Sequence, residues 1–229
     1  MPQKSFPMVR GRRMRVTAVD VCGTPVAGSA STVVTEGFIS VGLTGNYNEG
    51  ENIQVQNASG KTCVTDEGET EFISYDVNIV MCDVDPELYN LFTGNALVAD
   101  AAGDNVGFRV NSDTIPSDTA FAIELWTGVP TDSCSGGATP YGYLLLPFIK
   151  GGVLGDFTVE NAAINMTISN ASTKDGNGWG DGTYNVVKDV GDVDAPLLTP
   201  LDPNDHLHVQ YTTVPPPDAT NGAVAFPPV

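Results

Sequence analysis

The sequence contains only two histidines, His206 and His208. On a strand, residues i and i+2 point to the same face, so the pair has a geometry that a metal ion can use, with Asp202 and Asp205 nearby as oxygen donors. A third ligand at a diagnostic spacing is missing, which favours a pair facing solvent or an interface. The run Asp175-Gly176-Asn177-Gly178-Trp179-Gly180-Asp181-Gly182 invites a calcium reading. An EF-hand loop, however, needs Asp or Asn at its fifth position, where Trp179 stands, and a closing Glu that is not there. A structural turn anchored by Trp179 is the better reading. The 28 acidic residues guarantee carboxylate pairs somewhere, so their number alone does not indicate glycosidase chemistry. No G-x-S-x-G, Walker, G-x-G-x-x-G or H-E-x-x-H string occurs, and a catalytic triad would have to draw on one of two closely spaced histidines. The chain is therefore expected not to be an enzyme and to need no cofactor and no metal. Cys22, Cys63, Cys82 and Cys134 lie far apart without a C-x-x-C pair, and are expected to be buried free thiols. Asn57, Asn165 and Asn170 open N-x-S/T strings, which carry no weight without a secretory signal.

Alternating short strands must position whatever these residues do. Ile73, Tyr75, Val77, Ile79 and Met81 alternate with Ser74, Asp76 and Asn78, the period of a half-buried strand. The segments 14–21, 32–43, 52–56, 107–110, 120–126, 141–149, 157–160, 164–169 and 206–213 read in the same way. Turn pairs such as Ser59-Gly60, Glu67-Gly68 and Gly103-Asp104 separate them. One segment differs. Asp85 stands at an N-cap, Pro86 at N1 and Gly94 after the last turn, while Leu88, Leu91 and Phe92 form an i, i+3, i+4 stripe. This predicts one short α-helix over about Pro86–Thr93. The fold class expected is mainly β, a β-sandwich or β-barrel with that helix covering an end or an open edge. Residues 1–217 are assigned to a single domain, including a basic N-terminal arm over 1–15 and an extended, wrapping region beyond Thr173. Residues 218–229, without periodicity, are expected to be a mobile tail.

Charge sharpens the picture. The formal net charge is −18, yet Lys4, Arg10, Arg12, Arg13 and Arg15, half of all the lysines and arginines, fall in the first fifteen residues with no acid among them. A body so acidic has no basic face with which to displace counterions from a phosphate backbone, which argues against stable nucleic-acid binding. The opening residues lack the apolar core of a signal peptide, so synthesis in a cytosol is expected. The longest apolar run, 141–149, is broken by Pro147 and too short to cross a bilayer, so no membrane association is expected.

Several strings in order resemble the major tail proteins of long-tailed, siphovirus-type bacteriophages that infect actinobacteria. They are Gly11-Arg12-Arg13-Met14-Arg15-Val16-Thr17, Val33-Val34-Thr35-Glu36-Gly37-Phe38, Asp83-Val84-Asp85-Pro86-Glu87-Leu88 and Val106-Gly107-Phe108-Arg109-Val110-Asn111-Ser112. Further on come Ser135-Gly136-Gly137, Tyr141-Gly142-Tyr143-Leu144-Leu145-Leu146-Pro147-Phe148, Gly155-Asp156-Phe157-Thr158-Val159-Glu160-Asn161 and Leu197-Leu198-Thr199-Pro200-Leu201-Asp202-Pro203. The resemblance runs from about Arg10 to Pro217. It implies a tail-tube fold whose subunits form hexameric rings that stack head to tail into the conduit for DNA ejection. The protein would then reside in the virion tail, after synthesis in the bacterial host cytoplasm. Its partners would be further copies of itself and other tail proteins such as the tape measure and the tail terminator, with phage DNA passing through unread. A virion decoration or adhesion module with a β-sandwich fold is the alternative.

Two sets of residues are candidates for the subunit interface. Glu51, Asp66, Glu67, Glu69 and Glu71 lie in a segment too polar for a core, expected to project along the tube to the next ring as the long loop between early strands does in that family. Arg10, Arg12, Arg13 and Arg15 are expected to bridge to an acidic surface on an adjacent subunit, where burial strengthens Arg–carboxylate contacts.

Overall fold

The computed structural model describes residues 5–130 and 140–226. Lys4, Cys134 and the string Ser135-Gly136-Gly137 lie outside the described residues. The strands are β1 (Val9–Ala18), β2 (Gly28–Thr35), β3 (Phe38–Glu49), β4 (Ile53–Gln56), β5 (Thr62–Asp66), β6 (Thr70–Met81), β7 (Ala96–Ala99) and β8 (Asn105–Arg109). They continue with β9 (Ala120–Gly128), β10 (Tyr141–Lys150), β11 (Val153–Leu154), β12 (Met166–Thr173), β13 (Val187–Lys188), β14 (Asp194–Ala195), β15 (His208–Thr212) and β16 (Val224–Phe226). The single α-helix among the described residues, α1, spans Pro86–Thr93. The protein is thus mainly β, organised around a ten-stranded antiparallel sheet in the order β16-β2-β1-β9-β10-β12-β6-β3, with β15 also on β10 and β11 on β12, consistent with a β-sandwich-like fold.

Pro147 explains the branch in that sheet. Proline cannot donate to a ladder, so within a sheet it settles at an edge or a bulge. Here the β10–β9 register slips between Leu146 and Ile149. Before the slip, Tyr141 to Leu145 pair with β15; after it, Ile149 and Lys150 pair with β12. One long strand therefore serves two neighbours on the same side.

Both faces of the central strands are covered, which is why β1 is buried continuously from Met14 to Thr17. Period two then sorts side chains between two cores. From β9, Phe121 and Ile123 enter one core with Met14, Val77, Ile79 and the helix, while Ala122 and Trp126 enter the other with Tyr143 and Leu145. The second core is closed by Trp179, Tyr184, Val186, Leu197 and Leu201, supplied by the extended region beyond Thr173. The helix forms as its sequence dictates. Asp85 Oδ1 accepts from Glu87 N at 3.0 Å and Leu88 N at 3.3 Å, and Gly94 takes the left-handed conformation at φ 70° with its N–H on Asn90 O. Leu88 and Phe92 are fully buried and Leu91 nearly so, so the apolar stripe docks on the sheet.

Four loops share one device. At Asp20, Asn57, Asp100 and Asp189 a side-chain Oδ1 accepts from the backbone N–H two and four residues on, at 2.7 to 3.0 Å. The fourth residue of each loop is left-handed: Gly23, Gly60, Gly103 and, without the licence of a glycine, Asp192 at φ 61°.

Several expectations are corrected. The single strand expected over 32–43 is two, because Thr35 Oγ1 accepts from Gly37 N at 2.9 Å and turns the chain between β2 and β3. The alternation in 73–81 holds only from Val77 onward. A register slip opposite Asn46 and Tyr47 leaves Ile73 exposed and Ser74 buried. Residues 157–160 form no strand. Cys22, Cys63 and Cys82 are exposed free thiols rather than buried ones, since each sits at a turn or an outlying strand. Residues 218–226 are not a loose tail: Thr220 N donates to Val34 O, β16 pairs with β2, and Phe226 is buried against Tyr184.

Candidate functional site

The acidic segment folds as an outlying hairpin. The β3–β6 ladder ends at Glu49 opposite Thr70, and the chain then narrows to a waist where Gly50 and Gly68 touch backbone to backbone. A Cβ on Gly68 would fall on the Gly50 carbonyl, so no larger residue fits. Gly50 N donates to Glu69 O at 3.1 Å, and Asn52 Oδ1 accepts from Gly68 N at 2.9 Å. Beyond the waist, β4 and β5 pair only with each other, and every residue from Glu51 to Phe72 is exposed. Glu51, Asp66, Glu67, Glu69 and Glu71 thus lie together around the waist and stem.

The hairpin is not merely polar. Cross-strand partners share a face, so the pairs Ile53–Asp66 and Val55–Val64 place Ile53, Val55 and Val64 in one stripe, each about half exposed. A two-stranded hairpin is marginal alone in water. Covering the exposed half of each of the three aliphatic side chains is worth about 0.7–1.5 kcal/mol apiece. The alternation in 52–56 reads as a half-buried strand from the sequence; that its apolar face, joined by Val64 from β5, stays exposed does not.

An aromatic cluster braces the stem. Phe72 meets Tyr47 at 5.5 Å, Tyr75 at 4.9 Å and His206 at 5.0 Å between ring centroids. His206 Nδ1 lies 2.8 Å from Thr173 Oγ1, which itself accepts from Tyr75 N at 2.8 Å. Burial lowers the His206 pKa below its ordinary value, against the opposing pull of Asp175 and Asp205. The two histidines do not share a site: His206 precedes β15, and His208 Nε2 pairs with Gln210 Oε1. Asp205 Oδ2 is taken up by Asp202 N. Among the described residues no group of three or more His, Cys, Asp or Glu is placed to hold a metal ion. In the glycine-rich turn, Asn177 and Trp179 are buried, and Asn177 Nδ2 faces the carbonyls of Asp202, Pro203 and Asp205 at 2.9, 3.0 and 3.1 Å.

The basic set divides. Arg10 and Arg12 are exposed on a part of β1 that bulges twice around Gly11, with Arg10 itself at φ 52°. Arg13 Nη1 reaches Glu36 Oε1 at 2.6 Å. Arg15 is a correction: as part of β1 rather than a solvent arm, it points into the second core and cannot bridge subunits. Its Nε lies 2.5 Å from Glu124 Oε2 and its Nη2 2.6 Å from Glu124 Oε1, with both residues buried. The guanidinium sits 3.3 Å above the centre of the Tyr184 ring, and Tyr143 donates its hydroxyl to Glu124 Oε1 at 2.7 Å. Burial opposes the Arg15 charge, but Glu124 outweighs it and the pKa is raised. Burial, reinforced by the Glu124 charge, raises the Tyr143 pKa well above its ordinary value, which keeps its proton on that hydrogen bond. Sequence reading missed Glu124. The signal available was a Glu at an interior position of an otherwise apolar strand.

Among the described residues no helix is long and apolar enough to cross a membrane. Compared with known protein families, the chain matches no family model. It likewise matches none of the curated proteins.

Proposed function

We infer that the chain is a structural subunit of a phage tail tube, which joins copies of itself into hexameric rings that stack into a conduit for DNA. The observation that carries this reading is the outlying hairpin, a half-exposed aliphatic stripe of Ile53, Val55 and Val64 rimmed by Glu51, Asp66, Glu67, Glu69 and Glu71. A hairpin of that kind gains stability when another surface covers it. The exposed Arg10 and Arg12 offer charge of the opposite sign, and in a stack the hairpin of one copy would meet the basic end of β1 on the next. The ordered strings from Arg10 to Pro217 support the same reading. With −18 on every copy, acids facing the lumen would keep DNA from adhering within a screening length of about 8 Å at physiological salt.

Electron microscopy of concentrated purified protein and of virions tests this reading. Tubes are expected from the natural chain, and a folded subunit without tubes from a variant lacking residues 57–65. Arg10→Glu with Arg12→Glu should also abolish tubes, and rising salt should weaken assembly of the natural chain. A monomer or closed trimer under all conditions would favour the decoration or adhesion module. Tubes of normal length from the deletion variant would remove the hairpin from the stacking contact.

A further inference from the structure

The sequence holds two Asn-Gly pairs, Asn177-Gly178 and Asn221-Gly222, and the fold treats them in opposite ways. Asn-Gly is the dipeptide most open to spontaneous deamidation, because glycine has no Cβ to shield its backbone nitrogen. That nitrogen attacks the asparagine Cγ, a C–N bond closes a succinimide, and ammonia leaves. Water then opens the ring to aspartate or to isoaspartate, in which the main chain runs through the former side chain. The attack requires a carboxamide free to rotate and a glycine N–H free to lose its proton.

Asn177 has neither. It is 5% exposed, its Nδ2 is held by three carbonyls, its Oδ1 accepts from Trp179 N, and Gly178 N donates to Gly23 O at 3.2 Å. Asn221 is exposed at a bend. Among the described residues neither its carboxamide nor the Gly222 N–H makes a hydrogen bond, and Gly222 is left-handed at φ 79°. We propose that Asn221 is a site of spontaneous covalent modification, converting through a succinimide to aspartate and isoaspartate, while Asn177 is protected by the fold.

The position gives the reaction a consequence. Asn221 lies between two anchors of the C-terminal segment. On one side Thr220 N donates to Val34 O at 2.9 Å and Thr220 Oγ1 accepts from Val34 N at 3.0 Å. On the other, Ala223 N donates to Glu87 Oε2, and Glu87 Oε1 accepts from Asn105 Nδ2 at 2.6 Å. An isoaspartyl link lengthens the chain between these anchors, and either product adds a carboxylate to a groove already lined by Asp83, Asp85, Glu87 and Asp104. Both changes loosen β16 from β2, uncovering the edge of the ten-stranded sheet. This holds whether or not the chain builds a tube.

The test is to hold the full native chain in mildly alkaline buffer, map peptides by mass spectrometry and label isoaspartate with an isoaspartyl methyltransferase. Conversion is expected at Asn221 with Asn177 intact, faster as pH rises, whereas in urea both pairs should convert. The converted fraction, separated by its added charge, should show faster hydrogen exchange at Thr32, opposite Val224 of β16, and at Val34; Asn221→Gln should retain slow exchange through the same incubation. An intact Asn221 in the native chain, or equal conversion at Asn177, would overturn the assignment. Unchanged exchange at Thr32 in the converted fraction would overturn the loosening of β16.

Discussion

Replacing Glu124 by Gln leaves Arg15 charged, 4% exposed and without a counter-ion, while a carboxamide takes the place of the carboxylate that Tyr143 now donates to. Removing one partner of a buried ion pair costs about 3–5 kcal/mol. For a urea slope of about 2 kcal/mol/M, the unfolding midpoint should therefore fall by roughly 1.5–2.5 M, with the slope unchanged. Replacing both partners, Arg15→Met with Glu124→Leu, removes the unpaired charge. What remains is the unsatisfied Tyr143 hydroxyl, at about 1–3 kcal/mol, set against an apolar gain of similar size. The double variant should accordingly lie within about 1–2 kcal/mol of the natural chain, giving a large coupling in a double-mutant cycle. High salt should leave that coupling intact, because ions do not reach a pair this deep. The reasoning fails if Glu124→Gln shifts the midpoint by less than about 0.5 M, or if the double variant is as damaged as the single one.

Three further outcomes follow from particular contacts. Leu91→Ala should cost about 2–5 kcal/mol in monomer unfolding, since Leu91 is 9% exposed on the docked face of α1; an unchanged midpoint would mean the stripe is not packed. Asp192→Gly should stabilise by about 0.5–1 kcal/mol, because Asp192 holds the left-handed position that glycine fills in the three sister loops; a lower melting temperature would count against this. The lowered pKa of His206 means that the folded state binds its proton less readily than the unfolded chain, so this contribution to stability is complete above about pH 6.5 and lost as pH falls below it. The melting temperature of the natural chain should therefore drop more steeply on acidification than that of His206→Phe, and parallel curves would refute the assignment.

What could be read from the sequence divides by range. The helix was legible to the residue because Asp85 and Pro86 at its start and Gly94 at its end each act on backbone groups within about one turn of their own position. The central strands were legible because alternation is local. Arg15 was not, since its environment is set by Glu124, 109 residues away, and nothing in Arg12-Arg13-Met14-Arg15 distinguishes a core guanidinium from a solvated one. The β2–β3 turn was overlooked although Glu36-Gly37 marks it, because apolar residues continue on both sides and the threonine hydroxyl that closes it carries no signal of its own. Strand β16 is three residues long and carries no periodicity to detect; it is held by Glu87 and Val34 rather than by its own pattern. At the hairpin, the alternation of 52–56 was legible, but not that Val64 joins its apolar face and that nothing among the described residues covers it.

The side-chain-closed loops at Asp20, Asn57, Asp100 and Asp189 have a bearing on how the chain reaches this state. Each is satisfied by five consecutive residues, so each can close on the microsecond timescale of an isolated hairpin, without waiting for the remainder of the chain. The pairing of β1 with β9 is the opposite kind of contact. On a ribosome adding about 5–20 residues per second, β1 waits several seconds before β9 emerges, and Arg15 is without Glu124 for all of that interval. The first Asx loop lies directly after β1 and turns the chain back toward β2, which gives the nascent strand a neighbour within thirty-five residues. Strand β2, brought back by the early loop, thus occupies one edge of β1 during synthesis, and the slow step is reserved for the edge that carries the buried charge.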